Sequence, residues 1–492
     1  MSGRGGMVAA GHPVTAAAGA QVLRAGGNAV DAAVGAMLMS FVAEPLLTGL
    51  GAGGYLLVEG FDAEPTLLDF FVAAPGHGRA PEAERAQLLP VEVDFGDATQ
   101  TFNCGPASVG TWGMVAGIDA ALARWGTVGL DTLVRRPVAL AREGVTMNQT
   151  QGYVAEILAG ILTSTPEAAA LFAPRGRVLG VGERFRWPDL ADALERLGSE
   201  GPEPFVRGEI AQRVQAWVAE RGGVLTAQDL EAYAPVEREP LRIEYHGREV
   251  LVNPPPNAGG ILIGHALALL QRGGGTGPER LAEVMEEVQA ARTEEFVAGL
   301  TEPAFHEHYF ASRLGSTTHI SVVDGEGRAC AVTCTNGEGS GIVVPGTGMH
   351  PNNIMGEEDL NPFGFHGFPA GRRMPSMMAP TVVIGERGVE LVLGSAGSNR
   401  IRSAILQTIV AVVDHGRAAA PAVDAPRLHV EDGTVFAEPG IPLEGLRASG
   451  RTVQAFRARN LFFGGVGAVQ RSADGSLTGA GDPRRGGAAV AA

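Results

Sequence analysis

The sequence predicts an α/β (α+β) protein in which β-sheets are covered by helices. Three observations predict this fold class: two Ala-rich helical segments near the N-terminus, helices alternating with loops over residues 117–270, and alternating apolar strands after residue 317. Strand hairpins followed by a long helical segment, here 399–416, are typical of sheets buried by helices. With 492 residues, 45% of them hydrophobic, the chain can bury a large core.

The first two helices have recognisable ends. Thr15 is predicted to cap a helix that runs to about residue 25, where Gly26 and Gly27 end it. Asn28 is predicted to cap a second helix that runs to about residue 42. The glycine-rich segment 49–54 precedes a predicted strand. A dinucleotide-binding loop instead follows a strand and opens a helix. We therefore expect no nucleotide site at these glycines.

Several kinds of catalysis are excluded by composition. All 38 basic residues are arginine, so the chain has no Schiff-base lysine, no P-loop lysine and no Ser-x-x-Lys dyad. No serine lies in a Gly-x-Ser-x-Gly elbow. His306 and His308 lack a neighbouring third metal ligand in the sequence, so no metal site is expected.

Charge and hydropathy restrict the partners. A net charge of −16 argues against nucleic acid as a partner. The apolar run at 32–42 is too short to span a bilayer and the N-terminus lacks the pattern of a signal peptide, so no membrane partner and a cytoplasmic location are expected. The three cysteines, an odd number, are expected to be buried free thiols.

Residues 317–335 are predicted to form a hairpin, because two alternating strands flank a turn-rich segment at 324–328. Folded symmetrically, the hairpin pairs Val323 with Ala329, and the same register places Thr317 opposite Thr335. A second hydroxyl can orient a threonine nucleophile whose base is its own α-amine, released by cleavage before Thr317. Taken alone, these residues favour an ordinary strand start over a nucleophile.

The segment 394–399 joins a predicted strand to a predicted helix. Backbone N–H groups in such a turn can converge on one point at the helix N-terminus and hold an oxyanion. A plain strand-to-helix turn has the same sequence pattern.

Several segments taken in order make the chain similar to the γ-glutamyltransferases, which are N-terminal-nucleophile enzymes that cut themselves into two subunits. They are "AAGHPVTAAAGAQVLRAGGNAVDAAVGA", "GLGAGGYLLV", "VNPPPNAGGILIG", "TTHISVVDGEGRACAVTCTN", "MHPNNIM", "MPSMMAPTVV", "GSAGSNRIRSAILQ" and "GAGDPR". The resemblance implies a four-layer αββα sandwich. It also implies that a large segment, 1–316, and a small segment, 317–492, form one globular unit.

The resemblance assigns roles to the residues around the hairpin. It makes Thr317 the nucleophile, the bond between Ser316 and Thr317 the processing site, and Thr335 the supporting hydroxyl. The backbone amides of Gly397 and Ser398 are implied to form the oxyanion hole.

The substrate-binding positions depart from the family pattern. Phe71 stands where the family has an arginine for the substrate α-carboxylate. Ile354 stands where the family has Gln or Glu for the α-amino group, while Glu357 keeps the second acidic position. Arg372 or Arg373 could supply the missing guanidinium.

Of the remaining binding positions, Asn336 is the nearest match to a family asparagine, and Ser376 followed by Met377 keeps one hydroxyl of two. Phe71, Ile354 and Met377 together predict a more apolar acyl pocket. Alternatively, the three side chains fill the core around an otherwise ordinary site.

The expected function is that of an autoprocessing γ-glutamyltransferase-like hydrolase, which cleaves γ-glutamyl amides such as glutathione and transfers the acyl group to water or an amine. One alternative is an acylase of the same fold that acts on a less polar acyl group, and another is an unprocessed pseudoenzyme that binds a ligand. The expected partners are a small-molecule amide and, through self-association, the two processed subunits. No metal or organic cofactor is required.

Overall fold

A computed structural model describes residues 5–61, 64–80, 85–94, 99–290, 317–361 and 364–492. Among these residues no helix is both long enough and apolar enough to cross a bilayer. The three cysteines are buried and free, as predicted.

The α-helices of the described residues are α1 (Pro13–Arg24), α2 (Ala29–Ala43), α3 (Met114–Trp125), α4 (Leu130–Leu133), α5 (Arg135–Glu143), α6 (Gln149–Ile157), α7 (Ala159–Leu162), α8 (Pro166–Phe172), α9 (Pro188–Glu200), α10 (Glu203–Val206), α11 (Glu209–Glu220), α12 (Ala227–Ala232), α13 (Ala258–Gln271), α14 (Pro278–Ala290), α15 (Arg400–Val413), α16 (Ala419–Asp424) and α17 (Glu444–Ala448). Short 3-10 helices lie at Pro106–Ser108, Ile354–Gly356, Glu358–Leu360, Leu461–Phe463 and Pro483–Arg485.

The strands are β1 (Gly6–Ala10), β2 (Gly53–Glu59), β3 (Thr66–Asp69), β4 (Leu89–Asp94), β5 (Thr99–Cys104), β6 (Val145–Thr146), β7 (Arg184–Phe185), β8 (Val236–Arg238), β9 (Leu241–Tyr245), β10 (Arg248–Val252), β11 (Thr318–Asp324), β12 (Ala329–Thr335), β13 (Thr381–Gly385), β14 (Gly388–Ala396), β15 (Leu428–Glu431), β16 (Thr434–Ala437), β17 (Thr452–Ala455), β18 (Gly465–Arg471), β19 (Leu477–Gly481) and β20 (Ala488–Ala491).

Two antiparallel sheets form the centre of the molecule. The first sheet has the order β20-β1-β11-β12-β2-β3-β8, and the second has the order β19-β18-β14-β13-β10-β9. Each sheet contains strands from before and after residue 317, so the two parts of the chain are interleaved in both sheets.

The layers follow the order predicted for a four-layer αββα sandwich. Helices α1 and α2 pack on the outer face of the first sheet, and α13, α15 and α16 cover the second sheet. The inner faces meet where β11 and β12 contact β14 and β18. Side-chain alternation explains the two faces of β11: Ile320 and Val322 join the apolar cluster of α2, while Val323 joins the cluster between the sheets.

The caps of the first two helices test the sequence prediction. Asn28 caps α2 as predicted, by accepting from the N–H groups of Val30 and Asp31. The prediction that Thr15 caps α1 is wrong. The helix begins earlier because Pro13 fits the first helical position, and His12 Nδ1 accepts from Val14 N at 3.1 Å.

Candidate active site

Thr317 lies directly before β11 and is completely buried. The predicted hairpin register is confirmed, because Thr318 pairs with Cys334 and Val323 pairs with Ala329. Continued by one residue, that register places Thr317 opposite Thr335, the last residue of β12. Ser316, which precedes Thr317, lies outside the described residues, as do His306 and His308.

The two threonines of the pair at 317–318 have different surroundings. Thr318 Oγ1 donates to Glu44 Oε2 at 2.7 Å, and Thr15 Oγ1 donates to Glu44 Oε1 at 2.7 Å. These bonds place the Thr318 side chain on the helical side of the first sheet. Alternation along the strand places Thr317 on the opposite side, which is the side of His319.

Thr335 is held by the turn that follows it. Its Oγ1 accepts from Gly337 N at 2.8 Å, which fixes the hydroxyl at the end of β12. Asn336 is buried and its Nδ2 donates to His350 O at 2.7 Å. The Glu357 carboxylate lies against the Cα of Gly337, so that a side chain at 337 would collide with it. Asn336 and Glu357 are therefore brought close to Thr335.

The turn from β14 to α15 contains two consecutive residues with positive φ. Gly397 has φ 114° and Ser398 has φ 65°. A Cβ at position 397 would lie 2.6 Å from Gly464 Cα, so only glycine fits there. Ser398 adopts a left-handed conformation that suits glycine better.

A cavity with about 560 Å³ of empty space, part of it open to solvent, lies beside Thr317. Thr317, Ala396 and Gly465 line it, and Ala396 pairs with Gly465 where β14 meets β18. Ala396 is followed directly by Gly397, the first residue of the predicted oxyanion turn. The predicted nucleophile and the strand end that leads into the predicted oxyanion turn thus line one cavity.

His319 lies on the wall of the cavity, two residues from Thr317. Its Nδ1 is 2.7 Å from Thr333 Oγ1 and its Nε2 is 2.8 Å from Ser321 Oγ. Burial lowers the pKa of His319 to about 3. A ring with so low a pKa is a weak base, and both of its nitrogens already contact hydroxyl groups. These two observations favour a proton acceptor other than His319.

The predicted apolar positions lie together in the core. Phe71, Ile354 and Met377 are buried in one apolar cluster, and the ring of Phe71 stacks on Tyr55 with centroids 5.5 Å apart. Ser376 is also buried, and its Oγ accepts from Met378 N at 3.1 Å. In the described part of the chain, these four residues do not line the Thr317 cavity.

Arg373 does not replace the missing guanidinium at position 71. Its Nη1 donates to Phe71 O at 2.7 Å and its Nη2 donates to Ala234 O at 2.8 Å. Its Nε is 3.2 Å from Asp69 Oδ1. These contacts direct the guanidinium at the backbone and at Asp69. The backbone carbonyl of Arg372 accepts a hydrogen bond from Ala74 N at 2.8 Å, so the backbone of Arg372 is bound to the segment that follows Phe71.

Two charged residues of the cavity, Glu44 and Arg485, were missed from the sequence. Burial raises the pKa of Glu44, although its two hydroxyl donors oppose that change. Burial lowers the pKa of Arg485 to about 10. The sequence offered a signal for Glu44, because it is an acidic residue inside the apolar run at 41–47. For Arg485 the only signal was its position directly after the "GAGDPR" segment.

The described residues contain no group of three or more His, Cys, Asp or Glu side chains arranged to hold a metal ion.

The chain matches known proteins over most of their length. The sequence profile described as gamma-glutamyltranspeptidase matches residues 15–309 and 274–492. The Acylase ACY 1 proenzyme of Pseudomonas sp. (strain SE83) is 32% identical, with 100% of this chain and 94% of that protein covered. The glutathione hydrolase proenzyme of Escherichia coli (strain K12) is 31% identical, with coverage of 97% and 90%.

Among solved structures, a cephalosporin acylase from Bacillus halodurans has the same fold, with a TM-score of 0.82 at 23% identity. The alignment covers 100% of this chain and 96% of that one.

Proposed function

Because the chain belongs to the gamma-glutamyltranspeptidase family, we propose that it is an autoprocessed threonine amidohydrolase whose acyl group is less polar than γ-glutamyl. Family membership makes it a γ-glutamyltransferase-like hydrolase of the N-terminal-nucleophile fold. Membership leaves the acyl group open, since both acylases and glutathione hydrolases are among its relatives.

The observation that carries the choice of acyl group is the environment of Phe71. The ring is completely buried against Tyr55, at the position where the family resemblance places an arginine. Position 71 therefore offers no guanidinium to the α-carboxylate of a γ-glutamyl group, and burying that carboxylate without this partner would cost several kcal/mol. Ile354 and Met377, which lie in the same cluster, likewise offer no polar group to a γ-glutamyl substrate.

Processing is proposed to begin at Thr317. Its Oγ attacks the carbonyl carbon of Ser316, and the acyl group moves from nitrogen to oxygen to give an ester with a free Thr317 amine. Water then hydrolyses the ester, which leaves a carboxylate on Ser316 and restores the hydroxyl. The products are segments 1–316 and 317–492, which the interleaved strands of both sheets hold together.

Turnover uses the same hydroxyl. The α-amine of Thr317 takes the proton as Oγ attacks the substrate amide, and the amine of the substrate leaves with that proton. The N–H groups of Gly397 and Ser398 stabilise the oxyanion, and Thr335 orients the nucleophile. The acyl-enzyme is then transferred to water or to a second amine.

A second candidate function, γ-glutamyl cleavage, is favoured by one observation. Glu357 and Asn336 are buried beside Thr335, where a carboxylate and an amide could bind a substrate ammonium group. The relative from Escherichia coli is a glutathione hydrolase proenzyme.

The two functions are separated by the substrates of the cleaved protein. We expect release of p-nitroaniline from neutral acyl p-nitroanilides at a higher kcat/KM than from the γ-glutamyl compound. A preference for γ-glutamyl p-nitroanilide would favour the second candidate instead.

A further inference from the structure

Arg485 places a guanidinium on the wall of the Thr317 cavity. It ends the 3-10 helix Pro483–Arg485, and its Nη2 lies 3.2 Å from the position that a Cβ at 397 would occupy. Its Cδ packs against Gly465 on the same wall. The guanidinium therefore lies close to the predicted oxyanion turn and lines the same cavity as Thr317.

This guanidinium has few partners within the described residues. Nη2 donates to Leu461 O over a long 3.4 Å, and Nε is buried without a hydrogen-bond partner. No carboxylate oxygen of the described chain lies within 4.0 Å of its nitrogens. The nearby Asp482 is engaged by Arg427 at 2.7 Å and by Arg484 at 3.1 Å. Buried donors of this kind are normally satisfied, and the residues that the structure describes leave Arg485 Nε without an acceptor.

The charges around Arg485 leave it cationic at neutral pH. Burial and the neighbouring Arg400 lower its pKa to about 10, while Asp482, Glu338 and Glu44 act in the opposite direction. The Glu44 carboxyl already accepts hydrogen bonds from Thr15 and Thr318. A buried guanidinium that stays charged favours an anionic ligand.

The rest of the cavity is mainly apolar. Its apolar lining includes Pro45, Leu46, Leu47, Met147 and Val154. A ligand that fills this space would therefore carry an apolar segment together with one anionic group.

We propose that Arg485 binds a carboxylate of the amide substrate, carried on an apolar segment that occupies this cavity. The inference rests on the proposed function and specifies its substrate class as a carboxylate-bearing apolar amide. The carboxylate can belong to the acyl part or to the amine part of the substrate. Phe71, Ile354 and Met377 lie elsewhere in the described structure, so this anion site is separate from the apolar positions.

The first test measures binding without turnover. Calorimetry compares 5-phenylpentanoate with its neutral amide on the wild type, Arg485→Met, Arg485→Lys and Arg221→Met. The wild type should bind the acid more tightly than the amide by about 10- to 100-fold, as expected for a charge-assisted hydrogen-bonded pair. Arg485→Met should abolish that preference and Arg485→Lys should keep part of it.

Arg221 is a matched control, because its guanidinium stacks on Trp217 outside the cavity. Its methionine variant should keep the wild-type preference. Failure of the wild type to bind the acid, or an unchanged preference in Arg485→Met, overturns the inference. If Arg485→Met does not fold, the test uses Arg485→Lys, which should prefer the acid over the amide less strongly than the wild type does.

The second test identifies which part of the substrate carries the carboxylate. The first pair of substrates, glutaryl and pentanoyl p-nitroanilide, differs by a carboxylate on the acyl part. The second pair, the pentanoyl amides of 4-aminobenzoate and of aniline, differs by a carboxylate on the amine part. Arg485→Met should lower kcat/KM for one anionic member about 10- to 100-fold more than it lowers kcat/KM for the neutral partner of that pair. Equal effects on both members of each pair contradict the inference.

The two proposals fail in distinguishable ways. If no amide is cleaved but the acid binds in an Arg485-dependent manner, the proposed function fails and the anion site stands. If neutral amides are cleaved without any Arg485-dependent preference, the anion site fails and the proposed function stands.

Discussion

Thr318 and Glu44 are joined by a hydrogen bond of 2.7 Å between Thr318 Oγ1 and Glu44 Oε2. Glu44 follows α2, so this bond ties the start of β11 to the outer helical layer. It also separates the roles of the two adjacent threonines, because Thr318 is committed to a buried carboxyl while Thr317 faces the other side of the sheet.

Loss of the Thr318 hydroxyl should weaken the fold and leave processing intact. In Thr318→Val the buried Glu44 loses one of its two hydroxyl donors, so we expect the free energy of unfolding to fall by about 1–2 kcal/mol. Thr318→Ser keeps the donor and should stay closer to the wild type. Urea unfolding measures the stability, and intact mass shows whether the chain has been cut. An uncut Thr318→Val protein that remains folded would contradict this division of roles.

Neutralising Glu44 should change how stability depends on pH. Burial raises the folded-state pKa of Glu44 above 4.5, so its contribution to stability is fully present below pH 4.5 and is lost as pH rises through the folded pKa. The amide side chain in Glu44→Gln has no proton to lose, so its contribution stays constant over the same range. Relative to the wild type, Glu44→Gln should therefore gain stability as pH rises from 4.5 through the folded-state pKa of Glu44.

Urea unfolding at several pH values measures this difference. Glu326→Gln, which alters a side chain 66% exposed to solvent, is the matched control. A difference between Glu44→Gln and the wild type that is constant with pH, or that falls as pH rises, would argue against a protonated Glu44.

Removal of the Thr335 hydroxyl should affect both stability and processing. Thr335→Val deletes the acceptor of Gly337 N, at a cost of about 1 kcal/mol, and removes the hydroxyl predicted to orient Thr317. We expect slower appearance of the cleaved subunits in a time course followed by mass, with recovery in Thr335→Ser. Processing at the wild-type rate in Thr335→Val would show that this hydroxyl has no supporting role.

Replacement of Ser398 by glycine should stabilise the protein. At φ 65° a serine is strained by about 1–2 kcal/mol, and the extra freedom of glycine in the unfolded chain offsets part of the gain. We expect a net increase of about 1 kcal/mol in the free energy of unfolding. Ser199→Gly, on the exposed side of α9, should instead lose about 0.5 kcal/mol. Equal losses in both variants would contradict the strain at 398.

The sequence predicted the features that depend on local pattern. The hairpin register from Thr318 to Val323 follows from alternation and a short turn, and Asn28 is an ordinary helix cap. The four-layer order could be inferred only through resemblance, because the pairing of β1 with β11 and β20 joins parts of the chain that are far apart.

Features that depend on tertiary contacts were not predictable in this way. Thr15 has the residue type of a cap, but its hydroxyl donates to Glu44, and Pro13 shifts the helix start. Arg485 reaches Gly397 only because the end of the chain returns to the first sheet as β20. No local pattern in the sequence encodes that approach.

The central claim is that the chain is cut before Thr317 by the hydroxyl of Thr317. Intact mass under denaturing conditions, on the wild type and on Thr317→Ala, tests it most directly. We predict two chains for the wild type, the smaller beginning at Thr317, and one chain of 50.8 kDa for Thr317→Ala. A wild type that remains a single chain, or a Thr317→Ala protein still cut after residue 316, would contradict the account.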